Sequence, residues 1–421
     1  MKNSLVVVLL AAMLAGFAGL AHAEQTAADF RKDPWLIYEN HVSDMTVMWQ
    51  ADASADSTIS WYSLSNFKGV QTSVVHENSA APDQHLYAAT IDGLTPNEMI
   101  RYTVDLNGHL QSGTFKAAPS ASDTALTLYA LGDSQPNADQ FNQVMDAVVA
   151  DAAADPLHRQ TLITHAGDFT TAGMYEAPWD LDYFNRGYSG TTMALASMPV
   201  MTALGNHEGI LLKSPGNGQP PQPAMASPQD FGSVLRKYYP YDEYASPGHS
   251  YYSFDYGPVH VAVLDQYTTS LDPGSSQNQW LDGDLAATNA PFRMIMFHEP
   301  AYSANGLNGS GEPDNLTTRQ DVQPLIEKYG VQLVLQGHNH YYARADVNGV
   351  HYLTLGGAGA PASIPDPSYS PYLVTTSQGL HFAKLDINGD FMTVTTQTPQ
   401  GNVLDRFTVA ADRVTPPTLW R

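Results

Sequence analysis

Across residues 30–118 apolar and polar positions alternate, with turn residues every eight to twelve positions. Thr46-Val47-Met48-Trp49, Thr58-Ile59-Ser60-Trp61-Tyr62 and Ile100-Arg101-Tyr102-Thr103-Val104 show the pattern, and Gly113-Thr114-Phe115 closes it. Short alternating strands at that spacing predict a small all-β sandwich. Residues 116–122, Lys-Ala-Ala-Pro-Ser-Ala-Ser, read as a linker. From Ala125 the period changes. Residues 126–131, 161–164, 199–202, 259–264, 292–297 and 331–335 are short apolar runs that predict buried strands. Residues 138–153, 182–196, 280–287 and 322–328 predict helices between them. Strands alternating with helices make residues 124–412 an α/β layered domain. Residues 215–227, rich in Pro, Gly and Gln, read as a long loop overhanging a site.

The chemically able residues fall directly after those strands. Gly132-Asp133 follows the first, Gly167-Asp168 the second and Gly205-Asn206-His207-Glu208 the third. His298 follows the run 294–297, and Gly337-His338-Asn339-His340 follows the last. Any one of these alone reads as a cap or turn, and a lone His-x-His as a solvent-facing loop. The carboxyl ends of strands in an open α/β sheet, however, are where ligands bind. The set delivers two Asp, one Asn and three His to one rim. Residues two apart in extended chain sit about 6.5–7 Å apart, so His338 and His340 aim at one place without gripping the same ion. Two metals roughly 3.5–4 Å apart suit such a pair. Asp168 has two oxygens with which to bridge them, and Asn206 offers a neutral one. His165 and His381 fit structural positions. Tyr342 and Arg344 either orient the His pair, touch phosphate or are structural.

Composition narrows the picture. The 421 residues carry 19 basic and 42 acidic side chains, a formal charge of −23, and no cysteine. At roughly 150 residues per domain the length fits two or three domains. The charge excludes a general binder of nucleic acid or anionic membranes. Without thiolates, any metal must be held by His, Asp, Glu or Asn. Two divalent ions against Asp133 and Asp168 leave the rim locally positive, so an acidic protein can still hold an anion there. Residues 1–23 read as an export signal: Lys2, an apolar segment from Leu5 to Leu20, then Ala21-His22-Ala23. The apolar run is short for a span of ~20 residues. The expected product is periplasmic or secreted, with no membrane attachment after cleavage.

The ordered motifs Asp133, Gly167-Asp168, Gly205-Asn206-His207-Glu208, His298 and Gly337-His338-x-His340 resemble the calcineurin-like metallophosphoesterase superfamily. Within it the chain is similar to purple acid phosphatases of the sandwich-plus-catalytic-domain type. Supporting segments include Tyr251-Tyr252-Ser253-Phe254-Asp255-Tyr256-Gly257, His298-x-Pro300-x-Tyr302, His340-x-Tyr342-x-Arg344 and Gly356-Gly357-Ala358-Gly359. Leu94-Thr95-Pro96, followed by Tyr102, resembles the corner of a fibronectin type III-like domain, covering 30–118. The resemblance implies a layered β-sheet sandwich flanked by helices behind that domain. It implies two metal ions, one on Asp133, Asp168 and His340, the other on Asp168, Asn206, His298 and His338, with His207 facing a small phosphoester. The implied activity is hydrolysis of phosphate monoesters by in-line attack of a metal-bound hydroxide. A phosphodiesterase on the same site is the alternative reaction, and a non-catalytic metal- or phosphate-binding protein the alternative class.

Three positions depart from the family pattern. Thr171 stands where members carry the tyrosine that ligates iron(III) and gives the purple colour, so zinc, manganese or iron(II) is favoured over iron(III). Gln135 stands where relatives lacking that tyrosine have a histidine. Leu307 stands where a histidine commonly assists the leaving group.

Overall fold

The structure, a computed structural model, describes residues 28–66, 69–77, 84–155, 160–213, 222–241, 244–246, 248–307 and 311–412. The export signal read from residues 1–23 lies outside them, as do 215–221 of the expected overhanging loop. Of the rest of that loop, β12 (Gln222–Met225) is a strand, pairing antiparallel with β11 (Ile210–Lys213).

The first seven strands make an all-β region of two antiparallel sheets. β1 (Phe30–Ile37), β2 (Met45–Ala51) and β5 (Leu86–Ile91) form one; β3 (Ser57–Ser63), β4 (Gln71–Val75), β6 (Met99–Leu106) and β7 (His109–Lys116) form the other. Alternation decides which side is inward. Along β6, Ile100, Tyr102, Val104 and Leu106 are buried while their neighbours are more open. The stretch expected to be a linker is packed: Lys116 ends β7, and Ala117 and Ala118 are wholly buried.

The remaining strands form two large sheets laid face to face. The first runs β10 (Val200–Thr202), β9 (Gln160–His165), β8 (Ala125–Leu131), β20 (Phe382–Asn388), β21 (Phe391–Gln397), β22 (Val403–Ala410). The second runs β13 (Tyr252–Tyr256), β14 (Val259–Val263), β15 (Phe292–Met296), β16 (Leu333–Gln336), β18 (Val350–Leu355), β17 (Tyr342–Val347), β19 (Leu373–Ser377). The two-residue period of the second sheet sorts its side chains between two cores. Met294, Met296, Leu333 and Leu335 face the core between the sheets. Ile295, Val334 and Tyr352 face outward, where Leu281 and Leu285 of one helix and Val322 and Ile326 of another cover them. On the first sheet Phe141, Val144 and Val148 of a third helix complete the shared core.

The longer helices among the described residues are α1 (Ala138–Ala154), α2 (Ser189–Ser197), α3 (Ser276–Ala287) and α4 (Leu316–Lys328). Three differ from expectation, α3 by starting at Ser276 rather than 280. The helix expected over 182–196 is interrupted; a wide helical turn covers Trp179–Tyr183, and α2 starts only at Ser189. The break falls just after that turn, where Phe184 (φ −91°, ψ 33°) leaves the helical region and Asn185 Oδ1 accepts the Gly187 amide at 3.0 Å, while Asp182 Oδ2 accepts from both the amide (2.8 Å) and the hydroxyl (2.7 Å) of Thr171. α4 starts earlier than expected, where Asn315 Oδ1 caps the Thr318 amide at 2.9 Å. Tyr342 and Arg344 do not reach the His pair. The Tyr342 hydroxyl and Arg344 Nε each donate to Asp405 at 2.7 Å, tying β17 to β22 across the sandwich.

The N-terminal sheets lean on the interrupted segment. Trp35 packs on Phe184 with ring centroids 4.8 Å apart, and the buried Lys32 donates to Gln50 (2.6 Å) and to Asp180. Tyr102 donates to the Ala196 carbonyl at 2.9 Å.

At the edge away from the strands' carboxyl ends, His260 is buried between two carboxylates, Asp255 (2.9 Å) and Asp284 (2.8 Å). Burial opposes its charge, but the hydrogen bonds to Asp255 and Asp284 win and raise the imidazole to about 9. A group whose pKa rises on folding contributes stability that is complete below its unfolded value, near 6.5, and is lost as pH climbs through about 9. Unfolding free energy is therefore expected to fall by on the order of 2–3 kcal/mol between pH 6.5 and 9.5. His260→Asn should flatten that slope in chemical denaturation; an unchanged slope would assign it to other groups.

Candidate metal centre

The five strand ends named from the sequence do open on one end of the sandwich. Asp133 follows β8, Asp168 follows β9, Asn206 to Glu208 follow β10, His298 follows β15, and His338 to His340 follow β16. Asp133 (φ 59°), Asp168 (φ 59°) and His338 (φ 67°) all sit in the left-handed region. Such backbone costs non-glycine residues of order 1–3 kcal/mol each and persists where the surroundings enforce it. Here the loops enforce one another. Asp133 and Ser134 amides donate to the carbonyls of Gly167 and Asp168 at 3.0 Å, and the His338 amide donates to Asp133 Oδ2 at 2.9 Å. A Cβ on Gly205 would stand 2.3 Å from Asp168 Oδ1, so only glycine lets these two loops meet.

Four lone-pair donors converge at the floor. His298 Nε2 lies 3.1 Å from Asn206 Oδ1 and 3.2 Å from both Asp168 Oδ2 and His338 Nδ1, which is 2.9 Å from Asn206 Oδ1. His298 Nδ1 is 2.6 Å from the Ala166 carbonyl, which can only accept, so the ring's proton is on that side and Nε2 is bare. His338 Nε2 faces the Glu312 carboxylate at 3.5 Å, which likewise leaves Nδ1 bare. Bare nitrogens and oxygens at these separations repel unless a cation joins them. Bonds of ~2.1 Å to one ion place adjacent donors ~3.0–3.4 Å apart, as found. The residues fit a metal.

A second donor group adjoins the first. His340 Nδ1 is 3.1 Å from the Pro361 carbonyl, leaving Nε2 free and 3.6 Å from Asp133 Oδ1. That oxygen is buried with no hydrogen-bond partner, an orphan that a cation would satisfy. Asp133 and His298 are fully buried at the floor. Asp168, Asn206, His207, His338 and His340 line an open cleft of about 300 Å³.

The electrostatics say the same. Burial pushes the Asp133 carboxyl up to about 7, with Asp168 adding to the effect. Burial opposes charge on His298, but Asp168 and Asp133 outweigh it and raise that imidazole to about 10. Burial also works against Asp168, yet His298 and His207 hold it well below the usual carboxylate range. At His340 burial dominates and lowers the imidazole to about 4, keeping it neutral as a ligand must be. Carboxylates this far out of water demand positive charge, which an ion supplies better than a proton on His298.

The structure places His207 beside this group. Its amide donates to Asp168 Oδ1 at 2.8 Å, and its Nδ1 is 2.9 Å from the Thr171 carbonyl, so Nε2 is the free nitrogen, 3.9 Å from Asp168 Oδ2. Thr171 therefore serves the histidine through its carbonyl and Asp182 through its hydroxyl. With no phenolate from Thr171, protein reconstituted with iron is expected to show no tyrosinate-to-iron(III) band in its visible spectrum. A band of that kind would contradict the arrangement. Gln135 is buried, and Leu307 is exposed at 42 %.

Glu208, the last residue of the third strand-end motif, has a structural role. Fully buried, it accepts three backbone N–H groups: Asp168 (3.0 Å), Phe169 (2.9 Å) and Gly205 (2.9 Å). It is the brace that holds the Asp168 loop in its unusual conformation. Glu208→Ala orphans three buried donors at ~1–3 kcal/mol each. The expected loss is on the order of 3–6 kcal/mol in urea unfolding, where a loss under about 0.5 kcal/mol would contradict the role. Glu312 and Ser363, also in the cleft, lie outside every motif because their positions depend on loop contacts between distant segments, and Asn339 lines it as the spacer within the last motif. His165 is a core residue, stacked on Phe169 at 3.8 Å, and His381 is fully buried, its Nδ1 on the Gly379 carbonyl.

Comparison with known proteins bears on the whole arrangement. The model of the calcineurin-like phosphoesterase family matches residues 126–342. Probable purple acid phosphatase 20 of Arabidopsis thaliana is 31% identical over 206 residues, 46% of this chain and 44% of that protein. A purple acid phosphatase of Glycine max is 25% identical over 302 residues, 70% of this chain and 60% of that one. The chain thus spans less than half the length of the Arabidopsis relative. Among solved structures, purple acid phosphatase PPD1 from yellow lupin superposes with a TM-score of 0.74 at 18% identity, covering 92% of this chain and 75% of that one. PhoD superposes at 0.65 and 12% identity, covering 94% and 95%. At such identities the likeness shows the fold alone. The family model spans more than half the chain and takes in every strand-end motif, so this protein belongs to the calcineurin-like phosphoesterase family and is purple acid phosphatase-like within it.

Proposed function

We propose that the chain is an exported, metal-dependent phosphatase that hydrolyses phosphate monoesters at a dinuclear centre. The observation that carries this reading is the convergence of His298 Nε2, His338 Nδ1, Asn206 Oδ1 and Asp168 Oδ2 as bare donors. Asp133, Asp168 and His340 would hold one ion; Asp168, Asn206, His298 and His338 would hold the other. Zinc, manganese or iron(II) suits so mixed a nitrogen and oxygen set. When bound, such ions neutralise phosphate oxygens and make water acidic enough to act at neutral pH.

The chain's own residues supply placement. Asn206, being neutral, leaves the rim net positive, and Asp168 positions His207 through its amide. With Nδ1 committed to Thr171, His207 keeps Nε2 free on the cleft side, in place to meet a phosphate oxygen or to hand a proton to the departing alcohol. A cleft of about 300 Å³ suits a small ester. Export rests on the sequence of residues 1–23, and no helix among the described residues is long and apolar enough to cross a membrane. The division into a fibronectin type III-like region, 30–118, and a catalytic domain, 124–412, belongs to the same proposal.

The test compares nitrophenyl phosphate with bis(nitrophenyl) phosphate on protein of measured metal content. The monoester should be preferred by at least about tenfold in kcat/KM, and chelation should abolish release. Preference for the diester would make the chain a phosphodiesterase. Metal binding without any release would make it a binding protein.

A further inference from the structure

Glu312 stands apart from every other side chain of the cleft. Among the described residues lining it, Glu312 is the one carboxylate besides Asp168, which is turned into the floor. Its backbone is fixed while its side chain is 72% exposed. The fixing comes from Asn339, the residue between the two histidines of the last motif. Asn339 Oδ1 accepts the Glu312 amide at 2.7 Å, and Asn339 Nδ2 donates to the Glu312 carbonyl at 3.0 Å. The Ser303 hydroxyl donates to that carbonyl too, at 2.6 Å. Gly311 permits the approach, since a Cβ there would lie 2.4 Å from the Asn305 carbonyl. Both polar groups of Glu312's backbone are thus held by the Asn339 amide, with Ser303 helping at the carbonyl, and the carboxylate stands at the cleft mouth with one oxygen 3.5 Å from His338 Nε2 and the rest open to solvent.

A carboxylate beside the place where phosphate must sit acts on whatever else the substrate carries. It penalises a second anion on the alcohol and favours a cation there. We infer that Glu312 is a specificity-determining residue that selects phosphoesters whose alcohol bears a positive charge, such as an alkylammonium group, over those bearing a carboxylate or further phosphates. The inference rests on the phosphoester reading only for where the phosphate lies. Solvent screens so exposed a group, so the effect on any one ligand is modest, a few-fold to about tenfold.

The experiment measures binding as well as turnover. Phosphonates have a C–P bond that ester hydrolysis does not cleave, so calorimetry on the metal-loaded protein can compare 2-aminoethylphosphonate with phosphonoacetate directly. Wild type should favour the ammonium ligand, Glu312→Gln should reduce the affinity ratio about three- to tenfold, and Glu312→Lys should invert it. High salt should compress all the differences. The kcat/KM ratio of phosphoethanolamine to phosphoglycolate should move in parallel. Ratios equal within about twofold across the three proteins would overturn the inference. So would a uniform loss for both ligands together with weaker metal binding, which would reduce Glu312 to a prop for His338. If no ester were hydrolysed but the affinity ratio still followed the charge at 312, the phosphatase reading would fall and the role of Glu312 would stand.

Discussion

Asp168→Ala is expected to lower kcat/KM for nitrophenyl phosphate by at least about a thousandfold in a protein that remains folded. Several kcal/mol of charge stabilisation depend on the ions, and each 1.36 kcal/mol is tenfold in rate. Asp168 is the one side chain common to both proposed ligand sets. Its two oxygens already divide their work, Oδ1 accepting the His207 amide and Oδ2 facing His298. Alanine removes the shared ligand and frees His207 at the same stroke. Asp168→Asn keeps the shape and the amide contact but not the charge, and should also be inactive. Circular dichroism separates lost chemistry from lost fold, because Glu208 continues to hold the loop by the Phe169 and Gly205 amides. Near-normal turnover in folded Asp168→Ala would show that the centre is not dinuclear.

The second large effect concerns the departing alcohol. With Leu307 in place of the histidine that the family usually provides, His207 is the imidazole positioned at the cleft with a free nitrogen. A positioned acid is worth typically 10²–10⁴-fold when the leaving group is poor and little when it is good. His207→Ala should therefore slow glycerol phosphate by about a hundredfold or more, but nitrophenyl phosphate by less than about tenfold. Equal losses on both would show that His207 binds phosphate or steadies the Asp168 loop and gives no proton. Thr171→Ser, which keeps both the carbonyl and the hydroxyl, should leave the substrate ratio unchanged.

The centre was legible in the sequence because ligands at strand ends leave a local mark: an apolar run, a glycine, then a metal-capable side chain. Asp133, Asp168, Asn206 and His338 carry it in full, His340 comes two residues later and His298 follows its run with no glycine, and the folded sheets bring all six to one rim. What stayed hidden depends on contacts between segments far apart in the chain. Asn339 looks like a spacer between two histidines, yet its amide places Glu312 from another loop. Tyr342 and Arg344 follow the last motif closely, but strand alternation and the distant Asp405 turn them to the opposite task of joining the sheets. The helical period over 182–196 is broken at residues 184–188, where Asn185 Oδ1 takes the Gly187 amide in a local turn. A side chain bonding nearby backbone competed with the helix there. In the N-terminal region, by contrast, simple alternation was enough to indicate strands such as β6, whose burial is one-sided.

The central claim is that turnover requires two ions held by this rim. Its most direct test is a titration of chelator-stripped protein with zinc or manganese, following phosphate release from nitrophenyl phosphate and bound metal together. Release should be absent without metal and should reach its maximum only as occupancy reaches two ions per chain. Release that survives stripping, or that is complete at one ion per chain, would contradict the account.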